Sequence, residues 1–324
     1  MAGMIIKHGL QMRKFYDITG LSVAHWFPGH MAKGLNQMQR KLKSVDCIIE
    51  VHDARIPISG RNPIFENRLT AIKPHILVMN KADMISHREK MDIEHYYYGQ
   101  GMKDLVFTNC KLPNSKGIKS VIPRICKLIE DSDRYNRSEN SSYQLMVIGI
   151  PNVGKSSLIN ALRAKHLRKS KASAVGGEPG VTQSVLEKIK VCEHPQVFLL
   201  DTPGILLPKI PDVETGLKLA VAATIKDHLV GETSIADYLL YFLNNRGNHK
   251  YVEYLGLEKP TDDIRELLGS TAVRHNKYIK SRTHQGLLKL PDTRVAAAMF
   301  LKGFRSGKYG PLILDDLQIV SSSS

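Results

Sequence analysis

Short apolar runs alternate with helical patterns over most of residues 26–211. Polar or glycine-containing loops close these runs, which lie at Asp46–Val51, His75–Met79, Leu105–Phe107, Leu145–Ile148 and Val197–Leu200. Runs of this length with few charges are typical of strands in a parallel sheet that helices cover on both faces. Between the runs, apolar residues recur every three or four positions, as in Met31, Leu35, Met38 and Leu42. The pattern predicts an α/β fold.

The pattern changes after Pro211, where apolar residues continue at helical spacing. Two such faces lie within Leu217–Ile225 and Ile235–Leu243. Their spacing predicts a smaller, all-helical second domain. The predicted division of the chain is a targeting or flexible amino terminus (1–25), a sheet domain (26–211), a helical domain (212–318) and a disordered tail (319–324).

The chain is basic, with 46 Lys and Arg residues against 31 Asp and Glu and a formal net charge of +15. Such an excess indicates a polyanionic partner or an anionic membrane surface, and of these nucleic acid is favoured. Residues 270–308 carry only one acid, Asp292, and a solvated helical face is the alternative interpretation of this segment. Its basic residues are Arg274, Lys277, Lys280, Arg282, Lys289, Arg294, Lys302, Arg305 and Lys308.

Cysteine usage and hydropathy restrict the compartment. Scattered cysteines without a Cys-x-x-Cys pair favour a reducing compartment over a secreted disulfide scaffold. No run of about 18 apolar residues occurs, so any membrane contact is expected to be peripheral. Near the amino terminus, Lys7, Arg13 and Lys14 stand against Asp17, which weakly resembles a basic organelle-targeting segment. An ordinary disordered or packed terminus is the alternative.

Residues Gly149–Ser156 match the phosphate-loop pattern Gly-x-x-x-x-Gly-Lys-Ser, between an apolar run and a helical one. Backbone N–H groups of the loop and of the helix amino terminus offer an anion site. Lys155 is expected to reach the β and γ phosphates, which makes it a catalytic candidate, and the Ser156 hydroxyl can ligate Mg²⁺. The residues predicted to bind GTP here are Asn152, Val153, Gly154, Lys155, Ser156 and Ser157.

Two further segments are predicted to complete this site. Asp201 follows an apolar run, where a carboxylate can hold Mg²⁺ through water while the Gly204 N–H meets the γ phosphate. Thr182 is placed to be the switch threonine that closes on the same ion. The predicted magnesium ligands are therefore Ser156, Thr182 and Asp201. Loss of the γ phosphate would release both segments.

The tetrapeptide Asn80-Lys81-Ala82-Asp83 also follows an apolar run and predicts guanine recognition. The Asp83 carboxylate can accept hydrogen bonds from guanine N1–H and the exocyclic amine, while Lys81 lies along the ring. Adenine lacks this donor pair, so the site should reject it. The later segment Thr108-Asn109-Cys110 stands where GTPases place their last guanine contact, although it lacks the usual Ala.

The guanine-reading tetrapeptide precedes the phosphate loop, whereas in an ordinary GTPase it follows that loop. This inverted order indicates a circular permutation. The polar stretch Asp131–Ser142, predicted to be a surface connection, would be the amino terminus of an unpermuted chain. The predicted fold is a circularly permuted P-loop GTPase domain, a mostly parallel sheet with helices on both faces, followed by the helical domain.

The place after Gly204, where hydrolytic GTPases commonly carry a water-positioning glutamine, holds Ile205. An apolar side chain cannot orient water, so another group is required. His30 is the candidate, because a neutral imidazole can position water near pH 7; on the residues alone, a helix-capping or core histidine is the stronger interpretation. Asn152 is a candidate ligand for K⁺, with plain loop structure as the alternative.

With these motifs, residues 26 to about 317 resemble the circularly permuted GTPases of the YlqF/YawG type. The family's pattern implies an apolar residue in place of the catalytic glutamine, matched by Ile205, and a catalytic histidine, matched by His30. It also implies a carboxy-terminal RNA-contacting domain and stimulation by K⁺. The segments that carry the resemblance are Trp26–Met31, Asp53–Arg55, Arg61–Pro63, Gly149–Asn160, Gly176–Thr182 and Asp201–Ile205.

The resemblance implies a GTPase that acts in assembly of the large ribosomal subunit. In its mitochondrial members the location is the matrix, on the matrix side of the inner membrane. We therefore expect a monomer that binds GTP or GDP with Mg²⁺, contacts the mitochondrial large subunit and its rRNA in a GTP-dependent manner, and leaves after hydrolysis. The alternatives are a membrane-associated regulatory GTPase and a GTP-binding scaffold without useful hydrolysis.

Overall fold

The computed structural model describes residues 12–21, 31–134, 137, 139–168, 188–206, 210–283 and 286–317. The predicted site residues His30 and Thr182 lie outside these ranges. Contacts between Cα atoms divide the chain into two compact units. We call Ser22–Leu229 with Pro311–Ser324 the sheet unit, and Met1–Leu21 with Val230–Gly310 the helical unit.

The sheet unit is built on a six-stranded sheet with the strand order β3-β2-β1-β4-β6-β5. Neighbouring strands are parallel except β5 and β6, which are antiparallel. This mostly parallel α/β architecture confirms the prediction. The strands are β1 Cys47–Asp53, β2 His75–Asn80, β3 Leu105–Phe107, β4 Ser142–Ile148, β5 Lys188–Cys192 and β6 Gln196–Leu200.

Helices of the sheet unit pack against its central strands, which are largely buried. Strand β1 is buried at every position, as expected for a central parallel strand. In α4 the residues Ile118, Val121, Ile122 and Ile125 form the buried face, and their three-and-four spacing is the helical signal seen in the sequence. The helices are α1 Met31–Lys41, α2 Pro63–Arg68, α3 His87–Gly99, α4 Lys116–Glu130, α5 Lys155–His166, α6 Val213–Val221 and, ending at the boundary, α7 Asp227–Val230.

The boundaries between the units differ from the predicted helical domain of residues 212–318. Helix α6 belongs to the sheet unit, so the chain crosses to the helical unit after Leu229 rather than after Pro211. At the other end, Pro311 begins a segment that returns to the sheet unit. Helical periodicity identified α6 correctly as a helix, but periodicity carries no information about which core a helix joins.

The helical unit contains α8 Glu232–Asn245, α9 Lys250–Leu255, α10 Ile264–Arg274 and α11 Thr293–Arg305. It also contains an antiparallel hairpin of β7 Tyr278–Thr283 and β8 Gly286–Pro291, which corrects the expectation that this domain is all-helical. The alternation Leu288, Lys289, Leu290 has the two-residue period of a strand. The helical interpretation of this basic segment overlooked that period.

Residues 12–21, which we expected to be part of a targeting or flexible terminus, pack within the helical unit. The backbone N–H of Arg13 donates to Asp262 at 2.6 Å, and its guanidinium donates to Asp237 at 2.8 Å. The ring of Tyr16 lies edge-on to Tyr238, with 5.3 Å between centroids. Among the described helices of both units, none is long and apolar enough to cross a membrane.

The junction that would be the amino terminus of an unpermuted chain is held by Asp46, which precedes β1. Its buried carboxylate accepts hydrogen bonds from Arg137 Nε at 2.8 Å, Arg134 Nη2 at 3.4 Å and the Gln144 backbone N–H at 2.7 Å. Gln144 belongs to β4, the strand beside β1. One carboxylate thus fixes the connection between α4 and β4 to the start of the central strand.

We predict that Asp46→Ala lowers the free energy of unfolding by about 3 kcal/mol, because it leaves the Arg137 guanidinium and a backbone N–H without this acceptor and removes the carboxylate partner of Arg134. Urea unfolding followed by circular dichroism would measure this loss. The matched control is Asp133→Ala, which removes the same charge from an exposed position of the same connection and should stay within about 0.5 kcal/mol of the wild type. Equal effects of the two substitutions would contradict the proposed anchor.

Candidate nucleotide-binding site

The candidate site lies at the carboxyl ends of β1, β2, β4 and β6. Chain order runs outward from β1 to β2 and β3, then returns to β4 on the other side of β1. Ligands of open α/β sheets bind at such a reversal, outside the carboxyl ends of the strands. The topology therefore brings the loops after Asp53, Asn80, Ile148 and Leu200 to one edge, which is where the sequence motifs begin.

The phosphate loop between β4 and α5 needs glycine at two positions. Gly149 has φ 149° and a Cβ there would lie 2.4 Å from the Val51 carbonyl oxygen. Gly154 has φ 103°, and its Cβ would lie 2.2 Å from Asn80 Nδ2. The left-handed backbone and the close approach of these neighbours both exclude a side chain. The glycines of the motif are thus required by the way the loop packs on β1 and on the tetrapeptide.

Lys155 opens helix α5 with its ammonium buried inside the phosphate loop. Nζ donates to the carbonyl oxygens of Gly149 at 3.2 Å and Ile150 at 2.9 Å. Burial lowers the pKa of this ammonium to about 8, against an opposing attraction from Asp201. The group is therefore held in a desolvated loop, where an anionic ligand would interact with it strongly.

Ser156 and Asp201 form a pair of oxygen donors beside the loop. The Ser156 hydroxyl donates to Asp201 Oδ2 at 3.2 Å, and Asp201 is buried at the end of β6. A hydroxyl and a carboxylate are hard ligands, and Mg²⁺ is usually held by one or two such groups together with water and phosphate oxygens. The donor set fits this ion. Thr182, the third predicted ligand, lies outside the described residues.

Gly204 brings the loop after β6 against the phosphate loop. A Cβ at this position would lie 2.6 Å from Pro151 Cα and 3.0 Å from Lys155 Nζ. The backbone of residue 204 therefore runs beside the lysine that is predicted to hold the terminal phosphates. This proximity is what the predicted contact between the Gly204 N–H and a γ phosphate requires.

Asn80, the first residue of the tetrapeptide, is buried and joins three loops. Its Nδ2 donates to the Val153 carbonyl at 2.9 Å, and its Oδ1 accepts from the Thr108 hydroxyl at 3.3 Å. The Thr108 carbonyl in turn accepts from the Ala82 N–H at 3.0 Å. Asn80 and Thr108 thus fix the tetrapeptide to the phosphate loop and to the loop after β3. The sequence had suggested a direct guanine contact for the segment that begins at Thr108.

Lys81 and Asp83 have different surroundings. Lys81 adopts a left-handed backbone with φ 59°, and its Nζ donates to Asp53 Oδ2 and to the Asn152 carbonyl, each at 2.8 Å. Asp83 is exposed, with Lys111 Nζ 3.5 Å from its Oδ2. The Lys81 ammonium is therefore bound to acceptors of the protein itself, whereas the Asp83 carboxylate, which is predicted to read guanine, is accessible to a ligand.

Asp53 is a site residue to which the sequence analysis assigned no role. It is buried at the end of β1 and accepts from Arg55 Nε at 3.0 Å and Nη2 at 2.7 Å, besides Lys81. Burial opposes its ionisation, but the two cations hold the pKa of this carboxyl well below its usual range. The available signal was an acid directly after an apolar run, in Asp53-Ala54-Arg55.

Ile205 is buried and lies against the helix that follows His30 in sequence. A Cβ on Gly34 of α1 would lie 3.5 Å from Ile205 Cδ1 and 3.3 Å from Pro203 Cγ. Asn62 Nδ2 donates to the Ile205 carbonyl at 3.2 Å. The residue in the place of the usual glutamine is therefore packed inside the protein, as its apolar character predicts.

The remaining predicted residues lie in the same loops. Val153 is buried, Ser157 belongs to the first turn of α5, and Ala82 begins a short 3₁₀ turn that ends at Met84. Asn152 has φ 59°, and its Nδ2 donates to the Ala223 carbonyl at 2.7 Å. Among the described residues, every predicted site residue lies at this edge of the sheet.

Known proteins resemble this chain over nearly its whole length. Residues 144–271 match a family model described as 50S ribosome-binding GTPase. Mitochondrial ribosome-associated GTPase 1 of Xenopus tropicalis is 53% identical over 94% of this chain and 98% of its own, and that of Bos taurus is 52% identical over 94% and 92%. Ribosome biogenesis GTPase A of Bacillus pumilus is 33% identical over 90% and 97%.

A solved structure has the same fold. The crystal structure of GNP-bound YlqF from T. maritima superposes with a TM-score of 0.56 at 20% identity, covering 88% of this chain and 99% of that one. At this identity the similarity concerns the fold alone, whereas the relatives at half identity establish the family. The chain therefore belongs to the family of mitochondrial ribosome-associated GTPase 1, and it has the circularly permuted GTPase fold of YlqF.

Proposed function

We propose that this GTPase is an assembly factor for the large subunit of the mitochondrial ribosome. It binds the subunit and its rRNA while GTP is bound, and it leaves after hydrolysis. The observation that carries the proposal is the convergence of the guanine-reading and phosphate-binding loops at one sheet edge in a chain half identical to relatives named for ribosome association. The proposal includes a monomeric state and a location in the mitochondrial matrix, with peripheral contact to the inner membrane as a second location to test.

In the proposed reaction, GTP lies across the loops after β2 and β4. Asp83 accepts from the guanine N–H groups, and Lys155 holds the β and γ phosphates. Mg²⁺, with Ser156, Asp201 and Thr182 as its protein ligands, would neutralise charge on the phosphate oxygens. The residues of the chain then have two tasks, to hold the phosphates in line and to orient the attacking water.

His30 is the residue we propose for orienting that water. Ile205 is apolar and buried, so it cannot do so. Support for His30 comes from α1, which begins one residue later at Met31 and whose Gly34 lies against Ile205 and Pro203. A neutral imidazole can accept a proton from the attacking water through one ring nitrogen, or position the water by a hydrogen bond to its oxygen.

We also propose that K⁺ binds beside Asn152. The amide nitrogen of this side chain is engaged by the Ala223 carbonyl at 2.7 Å, so the ligand would be its oxygen, Oδ1. A monovalent cation there would add positive charge next to the phosphates and supplement Mg²⁺.

A membrane-associated regulatory GTPase is the second candidate function. It is favoured by the β7–β8 hairpin, where the aliphatic residues Ile279, Leu288 and Leu290 are 39% to 49% exposed beside the lysines Lys280 and Lys289. Aliphatic and basic side chains together are also what an anionic lipid surface attracts. With the first candidate function, this hairpin is expected to contact rRNA; with the second, it is expected to contact anionic lipid.

Cosedimentation distinguishes the candidates. We expect the protein with a non-hydrolysable GTP analogue to pellet with mitochondrial large subunits, less so with GDP, and to be released by salt because phosphate contacts are screened. Lys280→Glu combined with Lys289→Glu should weaken this binding, whereas Lys103→Glu combined with Lys119→Glu, exposed in the sheet unit, is the matched control. Binding to anionic liposomes without binding to subunits would support the second candidate instead.

For hydrolysis, we predict that His30→Ala lowers subunit-stimulated phosphate release at least about a hundredfold, the usual contribution of a positioned acid or base, and leaves nucleotide affinity within about twofold. Single-turnover phosphate release and a fluorescent-nucleotide titration measure the two quantities. His95→Ala, on the exposed side of α3, controls for the loss of an imidazole. An unchanged rate in His30→Ala would remove His30 from the mechanism.

Nucleotide affinity should depend on pH through Lys155. The pKa of about 8 in the nucleotide-free protein rises when anionic phosphates bind, because they favour the charged ammonium. Below pH 8 the group is already protonated and affinity is level. Above it, binding takes up a proton and the Kd for GDP rises by up to about tenfold per pH unit.

Calorimetry in buffers of different ionisation enthalpy would detect this proton uptake. The control is Lys155→Arg, whose guanidinium stays charged over the whole range, so its residual binding should lose the dependence. A level Kd between about pH 7 and 9 in the wild type would contradict the assignment.

A further inference from the structure

The segment Pro311–Leu317, which we call the C-terminal strap, follows the helical unit in sequence and runs across two loops of the sheet unit. The Leu312 N–H donates to the Met84 carbonyl at 3.0 Å, and the Leu314 N–H donates to the Arg55 carbonyl at 2.8 Å. Between them, the Ile313 N–H donates to Glu89 Oε1 at 3.1 Å. Three consecutive backbone groups of the strap thus bind the loops that follow β1 and β2 and the first turn of α3.

Asp315 fixes the end of the strap to the loop after β1. Its buried carboxylate accepts from the backbone N–H groups of Ile58 at 2.7 Å and Ser59 at 2.8 Å, and the Ser59 hydroxyl donates to its other oxygen. Burial raises the pKa of this carboxyl, and the hydrogen bonds from Ser59 and Ile58 oppose that rise because they favour the charged form. The Asp315 carboxylate therefore holds the turn at Ile58 and Ser59, which is not part of a helix or a strand.

Apolar packing reinforces this arrangement. The side chain of Ile313 is buried in a cluster with Ala54, Met79, Ile85 and Tyr97, which come from the ends of β1 and β2, the loop after β2 and α3. Leu317 packs against the same cluster. The strap consequently supplies part of the core directly beneath the two loops to which it is hydrogen-bonded.

Both sides of the guanine-reading tetrapeptide are connected to the strap. Met84, the partner of Leu312, ends the 3₁₀ turn Ala82–Met84 that contains Asp83. Arg55, the partner of Leu314, holds Asp53, which in turn holds Lys81. Displacement of the strap would therefore act on the Asp83 carboxylate from one side and on the Lys81 ammonium from the other.

We propose that the C-terminal strap positions the guanine-reading loop, with Asp315 as its positioning residue. The inference rests on the proposed role of Asp83 as the acceptor for guanine. Two hydrogen bonds from N1–H and the exocyclic amine reach one carboxylate only if that carboxylate is held in a defined place. Loosening the loop at Met84 lowers this discrimination more than it lowers the affinity for phosphate, because Asp83 is next to Met84, whereas Lys155 is held within its own loop by the Gly149 and Ile150 carbonyl oxygens.

The test compares GDP with inosine diphosphate, which lacks the exocyclic amine. Competition with a fluorescent nucleotide gives the Kd for inosine diphosphate divided by the Kd for GDP. This ratio reports the position of Asp83, and it does not change when a fraction of the protein is unfolded. Asp315→Ala should reduce the ratio by at least about fivefold, because the Ile58 and Ser59 N–H groups lose their acceptor. Asp315→Asn keeps an acceptor oxygen and should retain the ratio within about twofold.

Two controls separate positioning from stability. Ile129→Ala, in the buried face of α4, should lower the unfolding midpoint and leave the ratio unchanged. Asp92→Ala removes an exposed acid on α3 and should leave both unchanged. Ser59→Ala, which removes one donor to Asp315, gives a smaller loss of the ratio and serves if Asp315→Ala does not fold.

The inference is overturned if folded Asp315→Ala and Ser59→Ala both discriminate as the wild type does. Failure of the underlying proposal looks different. In that case the wild type itself would bind GDP and inosine diphosphate equally, and Asp83→Ala would change nothing.

Discussion

The nucleotide site depends on one buried carboxylate, that of Asp53, and on the two cations that neutralise it. Arg55 binds both of its oxygens, and Lys81 binds one of them before continuing to the Asn152 carbonyl in the phosphate loop. An ionised carboxylate in the interior is stable only with such partners. Because the Asp53 carboxylate needs positively charged partners, it holds the loops after β1, β2 and β4 together. This arrangement is formed without a bound ligand.

This network also explains how the site tolerates an unusual backbone. Lys81 and Asn152 each have φ 59°, a left-handed conformation that costs non-glycine residues roughly 1 kcal/mol or more. Hydrogen bonds from Lys81 to two acceptors, and from Asn152 to Ala223, hold both residues there. The strain is concentrated where the loop after β2 contacts the phosphate loop. Because Gly154 has no side chain, Asn80 can approach the phosphate loop and donate to the Val153 carbonyl.

The sequence was sufficient for the sheet, its parallel character and the phosphate loop, because apolar runs and glycine spacing record local requirements. Those signals placed Lys155, Ser156, Asp201 and Asn80 at one edge correctly. The sequence could not show that Asn80 serves as a brace between loops, since its partners Val153 and Thr108 are distant in the chain. The roles of His30 and Thr182 and the K⁺ site remain predictions.

Other features could not be predicted from the sequence either, because local patterns do not record them. The period of two in Leu288–Leu290 is too short to outweigh the helical pattern around it, so the hairpin was missed. Arg13 and Asp315 are single charged residues whose partners, Asp237 and Ser59, lie more than 200 positions away in the chain. No local pattern marks such a contact, and its existence follows only from the packed structure.

The C-terminal strap has a consequence for the order in which this protein acquires its structure. Strands β1 and β2 and the tetrapeptide are synthesised early, yet the segment that braces them follows the rest of the sheet unit and Val230–Gly310 of the helical unit. During translation, the loop after β2 lacks part of its core until residues 311–317 have been synthesised. With the role proposed for the strap, the phosphate loop of a nascent chain can form well before the chain is able to distinguish one purine from another.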